Sequence, residues 1–251
     1  MNRDKNSYTI LYASVMVIVV AVLLAYVSQS LGDRQRDNEK IDKMQQILRS
    51  VNAGIEDKGK VIARYTDVIK QELLINQDGT VAKTFEGEQL AQNEAFTLNT
   101  RNAFKSAAND PSISLPLYIA EIEGRKKYVV PMNGAGLWGP IWGYIALNED
   151  CNTIFGADFS HEGETPGLGA EITRSEFSGQ FIGKEIFKEG EFRSVAVVKK
   201  GQKAEGKDYV DGISGGTLTS DGVNEMLISS LRPYALYLMN NVKNKGYVTL
   251  E

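Results

Sequence analysis

A run of glycine and hydroxyl residues occupies residues 211–220, with the sequence DGISGGTLTS. The run precedes a predicted helix, for which Thr219 or Ser220 is a candidate N-cap with Asp221 in the first turn. Because the first backbone N–H groups of a helix have no partner within it, a phosphate near Thr217 would be stabilised there. The lysine of a P-loop is absent, so nucleotide hydrolysis is not expected. The alternative interpretation is a flexible loop followed by an ordinary helix cap.

A second glycine-rich segment, GAGLWG at residues 134–139, has the spacing G-x-G-x-x-G. A dinucleotide-binding fingerprint needs a helix directly after the glycines. Residues 140–145 (PIWGYI) instead have the pattern of a strand, so we do not expect NAD to bind here. We interpret the glycines as a tight turn that places Trp138 and the backbone against a flat partner. The alternative is an ordinary hairpin loop with Trp138 in the core.

A third segment, GETPGLGAE, occupies residues 163–171. Pro166 followed by Gly167 marks a turn, and small residues allow the main chain to approach a ligand closely. From the residues alone, a plain surface turn is the simpler interpretation of this segment.

The composition limits the chemistry that is available. The chain has 251 residues with a net charge of −4, and 42% of the residues are hydrophobic, which excludes a wholly disordered chain. The acidic balance argues against a nucleic-acid-binding module. One cysteine, Cys151, and one histidine, His161, cannot form an intramolecular disulfide or a Cys/His metal cage. We expect Cys151 to be a small apolar residue in or beside a strand.

An uncharged apolar run covers residues 10–27. As a helix it would span about 27 Å, close to the roughly 30 Å hydrocarbon core of a bilayer. Tyr8, Tyr12 and Tyr26 lie near its ends, where amphipathic rings prefer the interface. A cleaved signal peptide has a shorter apolar region and a small-residue cleavage site, so we predict a retained membrane anchor over residues 10–31.

The flanking charges predict the orientation of this anchor. Arg3 and Lys5 precede it, which favours an amino terminus in the cytoplasm, although basic residues also follow the anchor. We therefore expect a cytoplasmic segment over residues 1–9, a juxtamembrane helix and linker over residues 32–59, and an extracytoplasmic domain over residues 60–251.

The soluble part has the pattern of an α+β domain. Apolar residues at three- and four-residue steps predict helices at 33–51, 60–69 and 221–240, the last one kinked or split by Pro233. From residue 115 onward, β-branched and aromatic runs separated by glycine, asparagine and aspartate predict strands, with a further strand at 193–199. We predict one N-terminal transmembrane helix followed by a mainly antiparallel sheet flanked by helices.

The run D-G-I-S-G-G-T-L-T resembles the flavinylation motif of the covalent FMN-binding domain family. The resemblance implies that a flavin transferase moves FMN from FAD onto the hydroxyl of Thr217, forming a phosphoester. Gly216 stands where alanine is usual in that family. The segment at 163–171 resembles the family's loop beside the isoalloxazine, which implies flavin contacts from Thr165 and Leu168. The GLWG run also matches, and implies that Trp138 lies close to the cofactor.

The resemblance implies no catalytic residue and no metal ligand in this chain. The residues expected to bind the cofactor are Trp138, Glu164, Thr165, Gly167, Leu168, Ser214, Gly215, Gly216, Thr217, Leu218 and Thr219. Asp211 is expected to be part of what the transferase recognises.

Within that family the chain resembles the C subunits of the Na⁺-translocating NADH:quinone reductases, on the anchor, the stretch NEKIDKMQQIL and the order of the three segments. This implies an electron-transfer protein that relays electrons from NADH toward quinone, with other membrane subunits as partners, in a bacterial inner membrane. The alternatives are the G subunit of an Rnf-type ferredoxin:NAD⁺ complex, and a stand-alone membrane-anchored flavinylated reductase.

Overall fold

The computed structural model describes residues 6–244. Helix α1 (Asn6–Ser50) is one continuous helix of 45 residues, and the helix predicted at 33–51 is its second part. An 18-residue window of α1 has a mean hydropathy of 2.8 and is not buried at all, so α1 is long and apolar enough to cross a membrane. Arg3 and Lys5, on which the predicted orientation depends, lie outside the described residues. The chain divides into two compact units, residues 1–43 and residues 44–251.

The second unit contains the remaining helices and all the described strands. After α1, the helices are α2 (Val61–Val68), α3 (Glu94–Thr97), α4 (Thr100–Ala107), α5 (Ser175–Ser178), α6 (Thr217–Leu231) and α7 (Ala235–Asn244). The strands are β1 (Ile69–Ile75), β2 (Val81–Glu86), β3 (Leu115–Ile122), β4 (Arg125–Ala135), β5 (Pro140–Leu147), β6 (Ile154–His161), β7 (Phe187–Lys188), β8 (Glu191–Phe192), β9 (Ala196–Val198) and β10 (Tyr209–Asp211).

Six strands form the central sheet in the order β2-β1-β3-β4-β5-β6, and every neighbouring pair is antiparallel. Two small ladders lie outside it, a parallel pair of β9 with β10 and an antiparallel pair of β7 with β8. The predicted α+β fold with a mainly antiparallel sheet is confirmed. Strands β3 and β4 each contain a run of six buried residues, because both faces of the sheet are covered.

One face of the sheet packs against α4, α6 and α7. Alternate residues of β4, namely Tyr128, Val130 and Met132, point to this face and pack with the apolar side of α6. The ring of Tyr128 meets that of Tyr237 from α7 at an edge-to-face angle. Cys151 is buried in the same core, as the sequence predicts.

The other face carries a buried polar cluster beneath α2 and α3. The carboxylate of Glu72 is fully buried and accepts hydrogen bonds from the Tyr65 hydroxyl at 2.6 Å and from the Ala91 amide at 2.9 Å. The side-chain amide of Asn93 donates to the second carboxylate oxygen at 2.5 Å. Burial, and then the neighbouring Glu72, hold the pKa of Tyr65 well above its ordinary value. The cluster therefore ties α2 and the start of α3 to β1.

The last turns of α1 pack on this same face, over β5 and β6. The Arg49 guanidinium donates to both oxygens of Asp158, at 2.7 and 3.0 Å, and the Trp142 indole N–H donates to Gln46 at 2.9 Å. Burial raises the pKa of the Asp158 carboxyl, while Arg49 acts in the opposite direction. Because the Asp158 side chain is only 12% exposed, Arg49 supplies much of the polar environment that it has lost.

Several element boundaries differ from those predicted. The helix predicted at 221–240 begins earlier, at Thr217, and it is split as expected: α6 ends at Leu231, and the turn containing Pro233 separates it from α7. The strand predicted at 193–199 is reduced to β9. Strands β1 and β2 have no counterpart in the sequence prediction, because β1 is buried without strict alternation and β2 is an exposed edge.

Candidate functional site

The turn between β4 and β5 presents a tryptophan to solvent. Strand β4 ends at Ala135, the Gly136 N–H donates to the Gly139 carbonyl at 2.8 Å, and β5 begins at Pro140. The glycines thus form the predicted tight turn, and a strand rather than a helix follows. The side chain of Trp138 is 67% exposed, so the alternative of a core tryptophan is wrong.

The segment after β6 forms a second turn. The amides of Leu168 and Ala170 both donate to the carbonyl of Thr165, at 3.1 and 3.2 Å. Gly167 has a φ of +76°, a left-handed conformation that glycine adopts without strain. The turn leaves Thr165 and Leu168 exposed.

The third loop leads into α6. Gly215 has a φ of +77° and turns the chain, and Gly216 is the N-cap of α6 with no side-chain hydrogen bond to the helix. The expectation that Thr219 or Ser220 is the N-cap is therefore wrong. Both lie within the first turn, where the Ser220 hydroxyl donates to the Gly216 carbonyl at 2.9 Å. Because Gly216 offers no capping oxygen, the first N–H groups of α6 remain available to an anion.

These three loops line one cleft with a volume of about 320 Å³. Its walls are formed by Leu137, Trp138, Glu164, Thr165, Leu168, Gly169, Gly215, Gly216, Thr217, Leu218 and Thr219. Nine of the residues predicted from the sequence are brought together there. Leu137 and Gly169 are not among the predicted residues, although each lies inside a segment that the sequence predicts to be a turn. Ser214, Gly167 and Asp211 do not line the cleft.

Asp211 lies at the end of β10, on the approach to the cleft. Its backbone N–H donates to the Gln180 side-chain oxygen at 2.9 Å, and its carbonyl accepts from the Gln180 amide at 3.3 Å. The residue is half-buried. Its backbone is thus fixed at the point where the loop to Thr217 begins.

The hydroxyl groups near the cleft differ in accessibility. Thr217 is exposed at the first position of α6. Thr219 is 1% exposed, and its hydroxyl donates to a Glu164 carboxylate oxygen at 2.6 Å. Ser220 is also buried, and its oxygen additionally accepts the Ile213 N–H at 2.9 Å. Of the three hydroxyl groups in the first turn of α6, only that of Thr217 is accessible to a reagent from solvent.

The wall of the cleft contains both apolar side chains and polar groups. Leu137, Trp138, Leu168 and Leu218 each expose two-fifths or more of their surface around it, which is a large apolar area for a site that faces water. The uncapped start of α6 and Thr217 line the same cleft. This combination fits a flat aromatic ring that carries a phosphate, since the ring covers the apolar side chains and the phosphate accepts from the helix N–H groups.

The residues of the cleft offer little acid–base chemistry. The sole histidine, His161, lies at the end of β6, and its Nδ1 accepts the Glu164 backbone N–H at 3.2 Å. Among residues 6–244, no group of three or more histidine, cysteine, aspartate or glutamate side chains is arranged to hold a metal ion.

Comparisons with known proteins agree on the family. A family model described as "FMN-binding domain" matches residues 136–232, which include all three loops of the cleft. The C subunit of the Na⁺-translocating NADH-quinone reductase from Vibrio vulnificus (strain YJ016) is 30% identical, over 82% of this chain and 83% of its own length.

Two solved structures share the fold. The crystal structure of the C subunit of the same type of reductase from Parabacteroides distasonis ATCC 8503 is 48% identical with a TM-score of 0.71, and the match covers 83% of this chain and 96% of that one. The crystal structure of Shewanella oneidensis NqrC is 26% identical with a TM-score of 0.63, over 82% and 99%. Because relatives with identities of 30% and above match most of its length, the protein belongs to the family of C subunits of the Na⁺-translocating NADH-quinone reductases.

Proposed function

We propose that this chain is the electron-transfer subunit of a Na⁺-pumping NADH:quinone reductase, and that its FMN is attached through a phosphoester to Thr217. The family and the match of the FMN-binding domain over the cleft support the first part. FMN supplies one- and two-electron redox chemistry, which these side chains do not provide. The chain's own task is to hold the ring, to exclude water from one side of it and to fix its position.

The accessibility and the position of the hydroxyl groups support the choice of Thr217. An attachment reaction needs a hydroxyl that an enzyme can reach, and Thr217 is exposed whereas Thr219 and Ser220 are buried and hydrogen-bonded. Of the other exposed hydroxyl residues nearby, Ser214 does not line the cleft, and Thr165 lies in a turn rather than at the start of a helix. In the reaction, the Thr217 oxygen bonds to the phosphorus on the FMN side of FAD. The pyrophosphate bond of FAD breaks, AMP leaves, and the hydroxyl proton is released. The uncapped N–H groups of α6 would then stabilise the phosphoester, which keeps a negative charge.

Other residues of the cleft would hold the ring. Trp138 and Leu168 project from two different loops and present apolar surface, and Leu218 adds to it from α6. Thr165 would contribute a hydroxyl at the same rim, while the small residues Gly215 and Gly216 allow the main chain to approach the cofactor closely. Asp211 and the loop up to Ser214 would be the part that the transferase recognises.

The attachment is tested by co-expressing the full chain with a flavin transferase. We expect a fluorescent band on a denaturing gel, and an intact mass increased by one FMN less one water. The variant T217A should lose both signals, while the matched control S229A, which removes an exposed hydroxyl further along the same helix, should keep them. An unlabelled wild-type band, or a labelled T217A band, would refute the proposal.

We further propose that α1 anchors the domain over residues 10–31, with the amino terminus in the cytoplasm and the domain on the periplasmic side. The length and hydropathy of α1 support an anchor. A phosphatase that is active only in the periplasm, fused after residue 251, should be active in cells. A cytoplasmic reporter at the same place should be inactive, and the reverse pattern would contradict this orientation.

The proposed partners are the other membrane subunits of the complex. The family supports this, since its members are named as one part of a larger enzyme. Purification of the tagged chain from native membranes should recover several membrane subunits together with it. Recovery of the flavinylated chain alone would favour a stand-alone reductase. The Rnf-type alternative is not favoured by these relatives and structures.

A further inference from the structure

The carboxylate of Glu164 connects the three loops of the cleft. One oxygen, Oε1, accepts the backbone N–H of Trp138 at 2.9 Å, and the other, Oε2, accepts the hydroxyl hydrogen of Thr219 at 2.6 Å. Its own backbone N–H donates to His161. The two partners of the carboxylate lie 26 and 55 residues away in sequence, so a single side chain links the Trp138 turn, the loop after β6 and the first turn of α6.

Two glycines of the cleft make room for this carboxylate. A Cβ on Gly136 would lie 2.4 Å from Glu164 Oε1, and a Cβ on Gly169 would lie 2.4 Å from Oε2 and from the Thr219 hydroxyl. Neither glycine has a positive φ, so the backbone conformation alone does not require them. Glycine is needed at these two positions because the carboxylate occupies the space that a side chain would fill.

The surroundings of Glu164 argue against a direct polar contact with a ligand. Its side chain lies in the wall of the cleft, but the residue is only 4% exposed and each carboxylate oxygen already has a donor. From the sequence, Glu164 was expected among the residues that contact the cofactor. Its geometry is instead that of a buried carboxylate that lies behind the residues expected to contact the ligand and is held in place by hydrogen bonds to them.

We propose that Glu164 is a positioning residue of the flavin site: it holds the Trp138 turn at a fixed distance from the first turn of α6, and its negative charge lowers the midpoint potential of the FMN. The inference rests on the proposed function for its redox part. A negative charge in the wall of a partly desolvated site opposes the addition of an electron to a ligand there. The positioning part depends only on contacts of this chain.

Two substitutions separate the charge from the positioning. In E164Q, the side-chain oxygen can still accept the Trp138 N–H, and the new amide can donate to the Thr219 oxygen, so the link is kept and the charge is removed. In E164A both the hydrogen-bonded link and the charge are lost. The matched control is E162Q, which removes an exposed carboxylate two residues away.

The positioning is measured without any flavin, by hydrogen exchange of the Trp138 amide in the full chain carrying T217A. We expect E164A to accelerate this exchange and E164Q and E162Q to leave it slow. Thermal unfolding, followed by tryptophan fluorescence, shows that each variant is folded. An exchange rate in E164A equal to that of the protein with Glu164 intact would overturn the positioning role, whatever the flavin state of the wild type.

The effect of the charge is measured on flavinylated protein by spectroelectrochemical titration. We expect a positive shift of the midpoint potential in E164Q and no shift in E162Q. A potential that is unchanged in E164Q, with flavin content equal to that of the wild type, would overturn the electrostatic role. Absence of flavin from the wild type would instead refute the proposed function, and the exchange measurement would still decide the positioning role.

Discussion

Helix α6 approaches strand β4 closely at Gly222, and a single methyl group there tests how the start of the helix is positioned. A Cβ on Gly222 would lie 2.2 Å from the carbonyl oxygen of Ala135 and 3.4 Å from the Cα of Gly136. Ordinary contacts begin at about 3.4 Å, so the helix and the strand would have to separate by about 1.2 Å at this point. Since Ala135 directly precedes the Trp138 turn, the cleft would widen with them.

The variant G222A should therefore be less stable than the wild type. Forcing a methyl group into a packed site lowers the free energy of unfolding by about 1–3 kcal/mol. Alanine in place of glycine within a helix gains about 1 kcal/mol, which offsets part of this cost. Because the overlap is with a backbone oxygen and is large, we expect a cost in the upper part of that range, about 2–3 kcal/mol. The net loss of stability should be about 1–2 kcal/mol, which for a protein of this size lowers Tm by roughly 2–8 °C. The yield of attached flavin should also fall, because Thr217 moves away from the Trp138 turn.

The assay is thermal unfolding of the full chain in detergent, followed by tryptophan fluorescence. Both tryptophans, Trp138 and Trp142, lie in the second unit, so the signal reports its unfolding. The matched control is G179A, where φ is −63° and a Cβ would meet nothing within 4 Å. This control should be unchanged or more stable, by about 0.4–1 kcal/mol. A G222A variant that melts at or above the wild-type temperature would refute the packing argument.

Three further predictions concern other parts of the second unit. R49M leaves the Asp158 carboxylate buried without its partner, and should lower the free energy of unfolding by about 1–3 kcal/mol at neutral pH. D158N should lower it by less, because it leaves Arg49 half-exposed and still hydrated. Burial raises the pKa of Asp158 above its unfolded value. The loss of stability in R49M relative to the wild type should therefore shrink as the pH falls through that pKa, because the carboxyl group becomes neutral. Urea titrations that show the same loss at every pH would contradict this. G216A places a methyl group 3.2 Å from the backbone nitrogen of Gly169 and from the Ile213 side chain, at a φ of −111° that alanine can adopt. The free energy of unfolding should therefore change by less than about 1 kcal/mol and flavin attachment should persist, and a loss of in-gel flavin fluorescence would be evidence against this. Burial raises the pKa of Tyr237 to about 12, so the folded state should lose stability as the pH rises from about 10 toward 12. In urea titrations over this pH range, Y237F should lose less stability than the wild type, and an equal loss in both proteins would contradict this.

Local patterns in the sequence were sufficient for much of the fold. The apolar run of α1 and the strands β3 to β6 follow from hydrophobic periodicity, which depends on neighbouring residues alone. The break at Pro233 follows from the missing N–H and fixed φ of proline. Strands β1 and β2 could not be predicted in the same way, because one is buried without alternation and the other is an exposed edge that depends on its partner for its conformation.

The sequence also marked the three segments as turns, since glycine, proline and hydroxyl residues favour turns and helix starts by their own chemistry, and the family resemblance made them one candidate site. Tertiary structure decided how those segments are used. It exposed Trp138, made Thr217 rather than Thr219 the accessible hydroxyl, and buried Glu164 between two glycines. The accessibility of a side chain depends on which distant residues pack against it, and Glu164 and Thr219 are 55 positions apart, far beyond the reach of any local pattern.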